Sequence, residues 1–184
     1  YAAAEGDVGM FITLTAPSKY HPTRQVGKGE SKTVQLNHGW NDEAFNPKDA
    51  QRYLCHIWSL MRTAFKDNDL QVYGLRVVEP HHDGTPHWHM MLFCNPRQRN
   101  QIIEIMRRYA LKEDGDERGA ARNRFQAKHL NRGGAAGYIA KYISKNIDGY
   151  ALDGQLDTDT GRPLNDTAAA VTAWASTWRI PQFK

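Results

Sequence analysis

The chain has few cysteines and no long apolar segment. Cys55 and Cys94 are the only two cysteines among 184 residues, and their apolar sequence contexts favour reduced, buried thiols over a structural disulfide bond. No apolar run approaches the roughly 20 residues of a membrane-spanning helix, and the first residues lack the basic-then-apolar pattern of a secretion signal. We therefore expect a cytoplasmic protein with no membrane partner.

The length and composition are those of one globular domain. The chain has 40% hydrophobic and 24% charged residues and a net charge of +4, which is ordinary for a soluble protein. It begins at Tyr1 without a methionine, so we expect residues 1–184 to be a single domain excised from a longer protein. Within it, residues 149–184 predict a loop and a last helix whose role the sequence does not indicate.

Turn and cap residues divide the chain into strands and helices. Residues 9–16 (GMFITLTA) predict a first, central strand, and residues 18–46 predict a long polar loop. Asn46-Pro47 and Asn95-Pro96 each supply an N-cap and a first-turn proline for a helix. Residues 124–130 predict a further strand.

Two more helices complete the predicted order of elements. One follows Gly133-Gly134, and a last one is capped by Asn165 or Thr167. Strand, helix, hairpin, helix, strand and helix predict an α+β domain. We expect a central antiparallel β-sheet with a histidine-bearing hairpin at its centre and helices packed mainly on one face.

The histidine-bearing hairpin contains the sequence EPHHDGTPHWHMMLF. Alternate residues of a strand share a face, so His87 and His89 point to one side and Trp88 to the other. If Glu79 on the preceding strand pairs opposite either histidine, its carboxylate joins the two imidazoles. Such a set suits a divalent metal ion, although two histidines on a solvated sheet face remain the simpler interpretation. We expect His81 and His82, in the turn, to be exposed.

A basic stretch follows the second predicted helix. Residues 118–147 contain seven lysines and arginines and no acidic residue, which indicates a surface for a polyanion or a solvated basic face. The candidates for DNA binding are Arg118, Arg122, Arg124, Lys128 and Arg132. The loop with Lys19, Arg24, Lys28 and Lys32 is a second candidate surface. Tyr20, Trp40 and Phe125 are candidates for stacking on unpaired bases, although core packing is the commoner role of aromatic residues.

The predicted third helix carries tyrosines and lysines on one side. At about 100° per residue, Tyr138, Lys141, Tyr142 and Lys145 fall within one arc of about 100°. Two tyrosines at this spacing often only pack together. Neighbouring cations also favour a phenolate and neutralise charge on an attacked phosphate. Together with a metal site, this arrangement suggests phosphoryl transfer to tyrosine.

The order of FITLT, PHWHMM and YIAKYISK resembles the three motifs of the HUH endonucleases, replication initiators and relaxases that nick single-stranded DNA. Two tyrosines with three residues between them, a lysine directly before the second and another lysine three residues after it resemble the two-tyrosine initiators. The sequence is similar to the replication gene A protein family of temperate tailed bacteriophages. It extends from Met10 to Ile147.

The resemblance implies a mechanism. His87, His89 and Glu79 would hold Mg²⁺ or Mn²⁺ against the scissile phosphate. Tyr138 or Tyr142 would attack, which leaves a 5′-phosphotyrosine and a free 3′-hydroxyl that primes rolling-circle replication of phage DNA. The lysines, Lys141 and Lys145, would orient the phosphate, activate a phenol or stabilise the leaving oxygen.

The resemblance also implies partners, and it leaves alternative functions open. Single-stranded DNA at a replication origin would be the substrate in the bacterial host cytoplasm, and host replication proteins such as a helicase would be partners. A relaxase or transposase of the same superfamily, or a non-catalytic DNA-binding module of the same fold, remains an alternative. A histidine-triad nucleotide hydrolase or transferase is disfavoured because the third alternate position is Met91.

Overall fold

The computed structural model describes residues 2–27, 33–130, 137 and 164–184. The described strands are β1 (Val8–Thr15), β2 (Thr23–Val26), β3 (Thr33–Leu36), β4 (Tyr73–Pro80), β5 (Pro86–Cys94) and β6 (Phe125–Leu130). The described helices are α1 (Ala2–Glu5), α2 (Pro47–Asp67), α3 (Arg99–Ala110), α4 (Ala120–Asn123) and α5 (Leu164–Trp178). The predicted third helix lies outside the described residues.

Four strands form one antiparallel sheet in the order β4-β5-β1-β6. The predicted α+β class is confirmed, and β1 and the histidine strand β5 are the two inner strands, as expected. Strand β4, the other strand of the hairpin, is instead one of the two outer strands. Strands β2 and β3 pair only with each other among the described strands, as a separate two-stranded ribbon.

Helices α2 and α3 cover one face of the sheet. Alternate residues of β1 and β5, among them Ile12 and Trp88, are fully buried against these helices. The indole of Trp88 donates to Gln51 of α2 at 2.9 Å, and the guanidinium of Arg76 lies 4.0 Å from its ring centre. Strand β5 is thus held from the core side, which leaves its histidines on the opposite face.

The start of α2 is the one that the sequence predicts. Asn46 is the N-cap, and its side chain accepts from the backbone N–H groups of Lys48 and Asp49. Asp49 accepts in return from the Asn46 N–H at 3.0 Å, which completes a capping box. The helix carries an apolar face into the core, with Leu54 and Met61 fully buried.

Other predicted boundaries are wrong for identifiable reasons. Asn95 accepts from the Arg97 N–H at 3.0 Å, but it caps only a turn, and α3 begins later, at Arg99. Helix α5 already includes Leu164, so Asn165 and Thr167 lie within it and do not cap it. Residues 18–46 are not one long loop, because they contain a short 3-10 helix (Ser18–Tyr20) and the β2–β3 ribbon.

The last residues of the chain pack against the histidine hairpin. The backbone of Arg76 in β4 exchanges two hydrogen bonds with Lys184, at 2.9 and 3.1 Å, and the Val78 N–H donates to Gln182 at 2.8 Å. Trp174 of α5 donates its indole N–H to the Gly84 carbonyl, in the turn between β4 and β5. Residues 174–184 therefore close the outer edge of β4.

Two simpler expectations concern the membrane and the thiols. No helix among the described ranges has the length and apolar character to cross a membrane. Cys94 is buried and Cys55 is exposed, and both are free thiols. The absence of a disulfide bond agrees with the sequence, whereas the expected burial of Cys55 is wrong because it lies on the outer side of α2.

Candidate metal centre

Strand register brings Glu79, His87 and His89 to one face of the sheet. Glu79 lies directly opposite His87 in the β4–β5 pair, and directly opposed residues of an antiparallel pair share a face. His89 shares that face because it is two residues from His87. This is the register on which the sequence prediction depended.

The ligand-type atoms of the three residues, here called the metal centre, converge. The two imidazole Nε2 atoms are 2.8 Å apart, and Glu79 Oε2 lies 3.4 Å from His89 Nε2 and 4.0 Å from His87 Nε2. Neighbouring ligands of an octahedral Mg²⁺, at about 2.1 Å from the ion, are about 3 Å apart. Opposite ligands are about 4.2 Å apart, so all three separations fit within the coordination sphere of one divalent cation, and the side chains are only 6 to 13% exposed.

Strand β1 orients His89. Thr13 lies opposite His89 in the β1–β5 pair, and its hydroxyl is 3.2 Å from His89 Nδ1. The ring of Phe11, two residues earlier, stacks on His89 with 5.5 Å between ring centres. A hydrogen bond at Nδ1 and a stacked ring fix the imidazole plane, so that Nε2 points into the metal centre.

His81 is a neighbour of the metal centre that the sequence did not reveal. Its ring stacks on His87 with 4.0 Å between ring centres, and burial, followed by the nearby charge of His21, lowers the pKa of His81 to about 4. The imidazole is therefore neutral at physiological pH. The predicted exposure is wrong for His81 and right for His82.

Asp83 holds the turn that carries His81. Its side chain is only 1% exposed and lies 3.1 Å from His21 Nδ1, and it accepts from the Thr23 hydroxyl and the Thr85 N–H. His21 in turn packs edge-on against His81. This network joins residues 21–23 to the turn beside the metal centre.

Several predicted site residues belong to the segment after β6. Outside the described residues lie Arg132, Tyr138, Lys141, Tyr142 and Lys145. Their assignment remains a prediction from the sequence. Glu79, His87 and His89 are the predicted site residues that the structure brings together.

Arg124 is not available to DNA, and its predicted role is wrong. It is 3% exposed, and its guanidinium donates to the carbonyls of Ala110, Glu113 and Asp114 and to the Glu117 carboxylate. Four acceptors satisfy the cation inside the fold, where it fixes the turn between α3 and α4. Its neighbour Phe125 is 2% exposed and belongs to the core.

The other described basic candidates have solvent-exposed side chains. Arg118, Arg122 and Lys128 are exposed. Lys128 pairs with Phe11 across β1 and β6, which places it on the same sheet face as the metal centre. Lys19, by contrast, forms ion pairs with Glu113 and Asp114.

Comparison with known proteins gives the family. The family described as bacteriophage replication gene A protein (GPA) matches residues 1–150. The chain is 98% identical over its whole length to the replication gene A protein of Escherichia phage P2, covering 24% of that protein. It is 47% identical to the replication gene A protein of Escherichia phage 186, over 97% of the chain and 25% of that protein.

A more distant relative has a more specific name. The chain is 39% identical over its full length to a Salmonella typhimurium protein named as a probable replication endonuclease from a prophage-like region, and it covers 22% of that protein. The chain thus spans about a quarter of the length of these relatives. No solved structure matches it significantly. Because the family match covers most of its residues, the chain belongs to the bacteriophage replication gene A protein family.

Proposed function

We propose that the chain is the DNA nicking and joining domain of a phage replication initiator. The observation that carries the proposal is the convergence of His87 Nε2, His89 Nε2 and the Glu79 carboxylate on one sheet face. Relatives named as replication proteins and replication endonucleases agree with a site for phosphodiester chemistry. The substrate is single-stranded DNA at a replication origin.

The metal centre would hold Mg²⁺ or Mn²⁺. The chemistry that such an ion would supply is Lewis-acid withdrawal of charge from a non-bridging oxygen of the scissile phosphate. His87, His89 and Glu79 would hold the ion, and three protein ligands would leave room for that oxygen and for water. Thr13 and Phe11 hold the His89 ring in position, and His81 packs against the ring of His87.

The reaction is a transesterification. The phenol oxygen of Tyr138 or Tyr142 bonds to phosphorus, the bond from phosphorus to the 3′ oxygen breaks, and the phenol proton is transferred to a base while the 3′ oxygen gains a proton. Lys141 and Lys145 neutralise the developing charge. One phosphodiester replaces another, so the reverse attack rejoins the strand without ATP. The second tyrosine permits a second cleavage before the first link is resolved.

Covalent attachment tests the proposal. Incubation of the chain with single-stranded origin DNA and Mn²⁺ should give an adduct that survives a denaturing gel, and peptide mapping should place the DNA on Tyr138 or Tyr142. Tyr138→Phe/Tyr142→Phe should form none. Tyr109→Phe is the matched control, because Tyr109 packs against the core on α3.

Two results would contradict the proposal. An adduct formed by the double tyrosine variant would refute the nucleophile assignment. DNA binding by the parent chain with no adduct under any divalent cation would favour the alternative, a non-catalytic DNA-binding module. A relaxase or transposase would form the same adduct but on a different DNA sequence, which a comparison of origin and unrelated oligonucleotides distinguishes.

A further inference from the structure

The β2–β3 ribbon exposes aliphatic side chains beside the metal centre. Every residue of β3 is exposed, with Val34 at 57% and Leu36 at 71%. An isolated two-stranded ribbon has little core of its own. Exposed aliphatic side chains on such a ribbon therefore point to a binding surface.

The base of the ribbon is fixed to the turn between β4 and β5. The Thr23 hydroxyl lies 3.2 Å from His82 Nε2 and 3.4 Å from the Asp83 carboxylate. On the other side of the base, the Asn37 amide donates to the carbonyls of Ser18 and His21 at 2.8 and 2.9 Å. The turn connects the strands that carry Glu79 and His87, so the ribbon begins next to the metal centre.

One face of the ribbon is aimed towards that turn. Thr23 pairs opposite Leu36, so both share a face, and Val34 shares it because it is two residues from Leu36. Thr23 contacts the turn, which shows that the face with Val34 and Leu36 is continuous with the surface beside the metal centre. Val26 pairs with Thr33 and belongs to the opposite face.

The chemistry of the ribbon suits unpaired DNA. Arg24 of β2 is two residues from Val26 and shares the opposite face, so the face with Val34 and Leu36 is apolar and suits bases rather than phosphate groups. Aliphatic side chains cannot read the donors and acceptors at the edges of paired bases. They can pack against the faces of bases that have no stacking partner.

We propose that the face of the β2–β3 ribbon with Val34 and Leu36 binds unpaired nucleotides of the strand whose scissile phosphate lies at the metal centre. The inference rests on the proposed function for the position of that phosphate. It adds a surface that holds the strand by apolar contacts with its bases, separate from the basic residues that contact its backbone.

Binding without catalysis tests the ribbon. The 184-residue chain is titrated into a fluorescein-labelled oligothymidine in EDTA, and anisotropy gives the dissociation constant. Val34→Ser/Leu36→Ser should weaken binding roughly fivefold to tenfold, because apolar contact area is lost. The slope of log Kd against log salt should not change, since no charge is removed. Val26→Ser, on the opposite face, is the matched control and should bind as the parent does.

Three outcomes would overturn the proposal. The first is that the double variant binds the oligonucleotide with the same dissociation constant as the parent. The second is that Val26→Ser weakens binding as much as the double variant does. The third is that the double variant changes the oligomeric state but not the DNA affinity, which would make the face a contact between copies of the chain. Unchanged melting temperatures should accompany the expected result, because the substituted side chains are exposed. The adduct assay tests the proposed function separately. At saturating DNA the double variant should still form the adduct. Failure of the parent chain to form it would refute the proposed function and not the role of the ribbon.

Discussion

The Thr13 hydroxyl lies 3.2 Å from Nδ1 of His89, its direct partner across the β1–β5 pair. When Nδ1 carries the proton and donates to Thr13, the lone pair at Nε2 faces His87 and Glu79. The Thr13 hydroxyl is thus placed to accept from Nδ1 in the imidazole tautomer whose Nε2 can bind a metal ion.

Replacing this hydroxyl should weaken metal binding. Thr13→Val keeps the shape of the side chain but removes the partner of Nδ1, and we expect the affinity for Mn²⁺ to fall by at least about tenfold, as measured by calorimetry. Thr63→Val makes the same change at an exposed position of α2, on the other side of the sheet, and should leave the affinity unchanged. Equal affinities in the parent and both variants would show that Thr13 does not orient His89.

Metal binding should stabilise the fold through Glu79. A ligand that binds only the folded state adds about 2.7 kcal/mol to the free energy of unfolding at a hundredfold excess over its Kd. Mn²⁺ should therefore raise the melting temperature in scanning fluorimetry, and EDTA should reverse the rise. Glu79→Gln should abolish most of the shift, whereas Glu104→Gln, at an exposed position of α3, should keep it. A shift of full size in Glu79→Gln would exclude the carboxylate as a ligand.

Asp83 should make stability depend on pH. Burial raises the pKa of Asp83, but hydrogen bonds from His21 and Thr85 and the nearby charge of His21 outweigh burial and hold that pKa well below its usual range. A carboxyl group with a depressed pKa stabilises the fold above its unfolded pKa of about 3.9, and this contribution is lost as the pH falls towards the folded value.

The corresponding substitution tests this sign. Asp83→Asn should lower the free energy of unfolding by about 1 to 3 kcal/mol at neutral pH, and the difference from the parent should shrink below about pH 4. Urea unfolding across this range measures both quantities. Asp116→Asn, in an exposed turn, should show neither effect. A difference that is constant with pH would contradict the ionised Asp83.

Substitution of Arg124 should affect the stability of the fold, whereas substitution of Arg122 should affect DNA binding. Arg124→Ala removes a buried cation with four acceptors and should cost about 2 to 4 kcal/mol of unfolding free energy. Arg122→Ala, at an exposed position, should change it by less than about 0.5 kcal/mol. It should instead weaken binding to oligothymidine and lower the salt slope by about one. Equal stability of the two variants would contradict the structural role of Arg124.

Local chemistry explains what the sequence could predict. The start of α2 follows from Asn46, Pro47 and Asp49, which lie within four residues of one another. Alternation along two strands joined by a short turn predicts that Glu79 and the histidines share a face once Glu79 pairs with either histidine, and the structure supplies the register, Glu79 opposite His87. These features need no information from distant parts of the chain.

Contacts between distant segments explain what it missed. His81 is enclosed because His21 and Asp83 meet across about 60 residues of sequence, and Arg124 is buried because the carbonyls after α3 surround its guanidinium. Asn95 does accept a hydrogen bond as a cap would, but it caps the turn that precedes α3. Residues 23–26 and 33–36 are short, and every residue of β3 is exposed, so no periodicity marked them as a ribbon.

The pairing of β4 with residues 182–184 constrains the order of folding. The strand that carries Glu79 gains its outer partner from a segment about 100 residues further along the chain. Contacts with such a long closing loop form late, after local helices and hairpins. During synthesis from the N-terminus, the hairpin with both histidines would therefore leave the ribosome well before its outer edge could close. The edge of β4 would stay open to other strands until α5 and the residues after it had been made.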